Sequence, residues 1–140
     1  MKLVLDTDVI VAALRSPTGA SAALLLAADD RLVQLLATVP LFIEYEAVTH
    51  RVEHILAAGL TSADVDMFLN HLVELVQPVE PWFLWRPQLR DPADEIVLEA
   101  AVNGRADALV SFNHRHFLPA AGRFGVPVLR PGEALERMRS

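Results

Sequence analysis

The chain has no cysteine, which removes disulfide bridges, thiolate metal sites and a cysteine nucleophile together. It has a single lysine, Lys2, so its basic residues are otherwise arginine. Positive charge is short overall, with a formal net charge of -6. That balance argues against broad electrostatic adhesion to nucleic acid. It leaves room for a concentrated acidic site that binds cations, or for a basic partner. Long apolar runs are missing as well, each being broken well short of the roughly 20 residues that a membrane span needs. No basic stretch followed by an apolar segment and a cleavage site opens the chain, so no export signal is expected. Repeats, low-complexity tracts and long linkers are likewise absent from the sequence. What is present is 140 residues, 53% of them hydrophobic, a length and composition that suit one domain with a substantial core. The expectation is a single cytoplasmic domain over residues 1–140, with no membrane association.

Strand and helix patterns alternate. Residues 2–5 read as a strand, 8–15 as a helix stopped by Ser16-Pro17, 19–29 as a second helix and 31–37 as a buried strand. A long helical pattern runs from Pro40 to about Ala58, where Gly59 supplies a stop. Thr61-Ser62-Ala63-Asp64 resembles a capping box opening another helix to about Leu75. "QPVEP" (77–81) suits a short strand and "WFLWRPQL" an irregular stretch. Asp91-Pro92 starts a helix that ends near Asn103-Gly104, and strands follow at 107–111 and 126–129, the latter with a short helix on each side. Such alternation implies a mainly parallel sheet covered on both faces. Ligands of such sheets gather at the carboxyl ends of the strands. Asp6 and Ser111-Phe112-Asn113 fall at such ends.

Helical phase sorts the acids. Leu41, Tyr45, Val48, Val52 and Ile55-Leu56 share one stripe, with Glu44 on its border and Glu46 and Glu53 facing away. In the next acidic helix Asp94 borders the stripe of Ala93, Ile96, Val97, Ala100 and Ala101, while Glu95 and Glu99 point away. Each inward acid also has an ordinary structural explanation. Asp6-Thr7-Asp8 can cap a helix, Glu44 can be a surface charge at a helix edge, and Asp91 and Asp94 can cap theirs around Pro92. Together they suggest more, because crowded carboxylates without a counter-charge raise one another's proton affinity. A hard divalent cation such as Mg²⁺ or Mn²⁺ removes that penalty with few protein ligands, since it keeps several waters.

The segments "LVLDTDVIVAAL", "PLFIEYEAV", "RDPADEIVLEAAVNGRADALVSFNHRHF" and "FGVPVLRPGEAL", in that order, resemble a PIN-domain protein. More narrowly, they resemble the VapC-like ribonuclease that is the toxin of bacterial toxin–antitoxin pairs. The resemblance implies an α/β fold, a three-layer α/β/α sandwich whose acids converge on a divalent metal. It also implies metal-dependent hydrolysis of RNA phosphodiester bonds. Carried over by position, Asp6 matches the first family acid, Glu44 the helical glutamate and Asp94 the acid of the D-P-x-D block. Two positions depart from the family pattern: Asp8 stands where many relatives have asparagine, and Asn113 where many have a fourth aspartate.

On this reading Asp6 and Asp94 are the closest ligands of Mg²⁺ or Mn²⁺, and Glu44 acts through water on the nucleophile. Asn113 is a weaker, uncharged ligand, and Thr7, Asp8 and Ser111 support the carboxylates. Arg15, Arg51, Arg115, His114 and His116 are the candidates for phosphate contacts. His50, His54 and His71 lack a third ligand for zinc and read as surface residues. "WFLWR" (82–86) reads as a core anchor or protein contact rather than a base-stacking site. The expected partners are RNA as substrate, a cognate antitoxin protein and a second copy of the chain as a homodimer. Asn113 also admits a rival, a catalytically weakened or inactive PIN-fold interaction protein. A phosphoacceptor domain of receiver type fits poorly, because the only lysine is at the wrong end of the chain.

Overall fold

The computed structural model describes residues 1–80, 89 and 91–139. Along it run β1 (Lys2–Leu5), α1 (Thr7–Arg15), α2 (Ala20–Asp29), β2 (Gln34–Ala37), α3 (Val39–Thr49), α4 (Val52–Ala58) and α5 (Ser62–Leu75). They are followed by β3 (Val76–Pro78), α6 (Pro92–Asn103), β4 (Ala108–Val110), α7 (His114–Arg123), β5 (Val128–Leu129) and α8 (Pro131–Arg139). All pairings are parallel, in the order β3-β2-β1-β4-β5. The chain therefore winds outward one way from β1 to β3, returns, and winds the other way through β4 to β5. Right-handed crossovers put the helices of those two halves on opposite faces. Accordingly α6 lies against β1, β2 and β4 and meets α7, while α1, α2 and α8 pack with one another in the series α1–α2–α8. This is the expected three-layer α/β/α sandwich.

The three central strands are apolar throughout their buried parts, as strands covered on both faces must be. Leu3, Val4, Leu5, Leu35, Leu36, Ala37, Ala108, Leu109 and Val110 are all buried. Direction reverses between β1 and β4, and a crevice for ligands forms at the carboxyl ends of such a pair. Asp6 N–H donates to the Val110 carbonyl at 2.8 Å, which ties those two ends together.

Three expectations need correction. The long helix from Pro40 to Ala58 is two helices, α3 and α4, broken at His50-Arg51. Side chains compete for the carbonyls there: Thr49 Oγ1 donates to Tyr45 O at 2.7 Å, and His50 Nδ1 lies 2.8 Å from Glu46 O. The apolar stripe ends with the break, leaving Val52 and Leu56 exposed. The strand expected at 31–37 begins only at Gln34. Arg31 takes a left-handed conformation (φ 62°) and closes α2, with Leu32 N–H donating back to Ala27 O at 2.9 Å. The short strand is Val76–Pro78 rather than 77–81, following α5 directly. The expected capping box of α5 is present, Thr61 and Asp64 exchanging bonds of 2.9 and 3.2 Å. The "WFLWR" segment lies outside the described residues.

Candidate active site

Asp6 ends β1 and caps α1, its Oδ1 accepting from Thr7 N–H at 2.7 Å. The capping explanation of "DTD" is therefore correct, and it is incomplete. Asp6 is buried, and its Oδ2 accepts from Ser111 Oγ at 2.7 Å, a residue that is itself buried just past β4. Asp8, one residue into the helix, turns toward the same strand end. Its Oδ2 accepts from Phe112 N–H at 3.1 Å and Asn113 Nδ2 at 3.2 Å, and lies 3.5 Å from Ser111 Oγ. Asn113 N–H donates to Ser111 Oγ at 2.9 Å, so a closed network joins the two strand ends. Asp8 Oδ1 is buried with no hydrogen-bond partner.

Asp94 enters from α6. Asp91 caps that helix through Ala93 N–H at 2.9 Å. Asp94 does not complete a capping box: its Oδ2 faces His116 Nδ1 on α7 at 3.1 Å. Glu95, expected to point away, reaches back to accept from Leu89 N–H at 2.9 Å. The proton affinities of the inward acids are raised chiefly by burial. Burial raises Asp6, against the hydrogen bonds from Ser111 and Thr7. Burial and then the Asp6 charge push Asp8 up to about 7. Burial and then the charges of Asp6 and Asp91 raise Asp94, against the attraction of His116. The acids at positions 6 and 94 thus share one electrostatic environment.

Glu44 is placed differently. It is half-buried on α3 and makes no hydrogen bond or ion pair among the described residues. Its neighbour Tyr45 is buried, and the Tyr45 hydroxyl donates to the Leu5 carbonyl, immediately before Asp6. Burial and the Asp6 charge raise the Tyr45 hydroxyl well above its ordinary value. The hydroxyl anchors α3 to the carboxyl end of β1. Arg15 lies at the end of α1 opposite Asp6, and Arg51 at the α3–α4 junction, both exposed. Arg115 and His116 lie on the first turn of α7, beside the network. The sequence pattern does not single out Arg130, and it suggests only a phosphate contact for His116, which pairs with Asp94. Arg130 follows β5 as Asp6 follows β1, so its position at a strand's carboxyl end was a usable signal.

Such an arrangement, buried carboxylates at the reversal point of a parallel α/β sheet with hydroxyl and amide groups holding them, defines an anionic site suited to a hard cation. Among the described residues no three His, Asp or Glu side chains stand close enough to grip an ion as they are. The donor set nonetheless fits Mg²⁺ or Mn²⁺, which take oxygen ligands from one or two carboxylates and fill the rest with water. The like charges beside Asp8 and Asp94, and the orphaned Asp8 Oδ1, are features that a cation bound there would relieve.

A comparison with protein families matches the PIN domain over residues 2–115. The chain belongs to the PIN domain family, whose fold is of nuclease type and whose nucleases typically use divalent metals. Comparisons with curated proteins and with solved structures gave no match. No single helix among the described residues is long and apolar enough to cross a membrane.

Proposed function

We propose that the chain is a metal-dependent endoribonuclease, hydrolysing RNA phosphodiester bonds with Mg²⁺ or Mn²⁺ bound between Asp6 and Asp94. The observation that carries this reading is the meeting of the Asp6–Ser111–Asp8–Asn113 network with the Asp94–His116 pair at the sheet's reversal point. When bound, the ion supplies Lewis-acid charge to a phosphate oxygen and makes water a better nucleophile at neutral pH. Ser111 and Thr7 orient Asp6, each using one lone pair on a different carboxylate oxygen and leaving the others for coordination. His116 holds Asp94 Oδ2 from the solvent side. Asn113 Nδ2 donates to Asp8, which leaves its carbonyl oxygen as the weaker ligand. Glu44 acts at one remove, orienting or deprotonating the attacking water.

The same reading takes the chain as the toxin of a toxin–antitoxin pair, a cytoplasmic homodimer held by a cognate antitoxin. An apolar groove of about 270 Å³ between α3, α5 and β3, walled by Val39, Phe42, Ile43, Val73, Val76 and Pro78, supports a protein partner. Co-purification and light scattering test this part.

The nuclease test is cleavage of single-stranded RNA by the purified chain in Mg²⁺ or Mn²⁺, beside Asp6→Asn and Asp94→Asn. Metal-dependent cutting, reduced more than about 100-fold in both variants, is expected. Equal cutting by all three proteins refutes the assignment. The rival reading, a non-catalytic PIN fold, is favoured by the uncharged Asn113 and its commitment to Asp8. That metal-poor fold predicts weak or no Mn²⁺ binding by electron paramagnetic resonance, and no cleavage.

A further inference from the structure

A cavity of about 180 Å³ opens past the carboxyl ends of β4 and β5, lined by Phe112, Asn113, His114, Arg115, His116 and Arg130. Its cationic residues come from two separate stretches, the start of α7 and the β5–α8 junction. Its wall is shared with the acids: Phe112 and Asn113 donate to Asp8, and His116 faces Asp94. Whatever occupies the cavity therefore adjoins the carboxylates.

Arg115 and Arg130 are exposed, and neither is paired with a described acid. One acid is close by. Glu133 accepts from Arg130 N–H at 3.0 Å and stands 3.8 Å from His114 Nε2, which bears on His114 and the backbone rather than on the two guanidinium groups. Phe112 is 48% exposed, an aromatic face left in water beside those groups. In a chain of net charge -6 this is a local reversal of sign. Guanidinium groups match phosphate oxygens in a planar fork. An exposed ring beside them accepts an unpaired base by stacking, which a duplex withholds.

We infer that this cavity is the subsite for the nucleotide adjoining the scissile phosphate of single-stranded RNA, with Arg115 and Arg130 on its phosphate and Phe112 against its base. The inference rests on the nuclease reading and adds the place where the strand leaves the carboxylates.

The test separates binding from cutting. Anisotropy of a labelled single-stranded RNA of about eight nucleotides is titrated in EDTA across a series of KCl concentrations. Wild type, Asp6→Asn, Arg115→Gln/Arg130→Gln, Phe112→Ala and the charge-matched control Arg31→Gln/Arg105→Gln are compared. The control residues lie at the amino ends of β2 and β4, opposite the cavity. Asp6→Asn, which removes a negative charge from beside the phosphate path, is expected to bind at least as tightly as wild type. The Arg115/Arg130 variant should bind more weakly, its logarithmic salt slope shallower by about 0.7, the value for one neutralised phosphate on a single strand. Phe112→Ala should weaken binding with the salt slope unchanged. Absence of RNA binding by wild type, an equal loss in the control, or equally effective displacement by polyglutamate overturns the proposal. RNA bound through this cavity but never cut in Mg²⁺ or Mn²⁺ upholds the cavity as an RNA-binding site and refutes the nuclease reading instead.

Discussion

Replacing Asp8 by asparagine should stabilise the metal-free protein above neutral pH and do little in acid. The Asp8 carboxyl moves from an ordinary 3.8 in the unfolded chain to about 7 in the fold, chiefly by burial and then by the Asp6 charge. A raised folded value means that the native state holds the proton longer than the unfolded state. Its contribution is thus fully present below about pH 4 and is lost as pH rises toward about 7. A shift of about 3 units corresponds to about 4 kcal/mol. Solvent reaches part of the half-buried group, which brings this down to about 2 kcal/mol. Asparagine imitates the protonated acid, since its oxygen still accepts from Phe112 N–H and Asn113 Nδ2. With an unfolding entropy of about 2.1 cal/mol/K per residue, a chain of 140 residues gains about 7 °C in Tm from 2 kcal/mol. Differential scanning calorimetry in EDTA from pH 4 to pH 8 reads the result: curves nearly coincident at pH 4 and separating through neutrality. Saturating Mn²⁺ should narrow the gap by giving the acids their counter-charge. A variant less stable than wild type at pH 8, or a gap that does not change with pH, refutes the reasoning.

Other perturbations follow from the packing. Tyr45→Phe leaves the buried Leu5 carbonyl without its hydroxyl donor, a loss of about 1–3 kcal/mol, measurable by urea denaturation; an unchanged midpoint would show the bond to be dispensable. Gly104→Ala places a Cβ 2.9 Å from the Ala100 carbonyl and 3.0 Å from Leu36 and Val79, and should cost about 1–3 kcal/mol in the same assay. His50 has an acceptor at each ring nitrogen, Glu46 O and Asp66 Oδ1. Its folded pKa is raised above 6.5 by those two hydrogen bonds, so its support is full at lower pH and fades as pH rises through the folded value. His50→Ala should therefore lower Tm slightly at pH 5.5, by an amount equivalent to less than about 1 kcal/mol, and not at pH 9. An equal loss at both values would count against the charged pair.

Much of this was legible because strand ends and helix starts are marked by short-range chemistry. The passage from "LVL" to Asp6, Asp91-Pro92 at the start of α6, and "ADALVS" leading to Ser111 each announce a strand or helix end by residue type alone. Periodicity also separated Glu46 and Glu53, both exposed, from the inward acids. It failed at Thr49 and His50, whose side chains compete for the helix's own carbonyls; a hydrophobic stripe carries no record of that competition. Helical phase points Glu95 outward, yet its length lets it turn back to Leu89 N–H. The His116–Asp94 pair joins residues from two helices, and only the packing of α6 against α7 brings them together. Glu44 makes the converse point. Helical phase put it on the border of the buried face, where it lies, but phase carries no distance to Asp6.

The order of the strands has a consequence for synthesis and folding. β1 is made before the other strands of the sheet, yet it sits in the middle and needs β4 beside it, with Leu3 opposite Ala108. Contacts so far apart along a chain form late and slowly. A polypeptide grown only as far as α6 has Asp6 with no Ser111 to hold it, so the acidic centre is assembled only once β4 and the residues after it have been made.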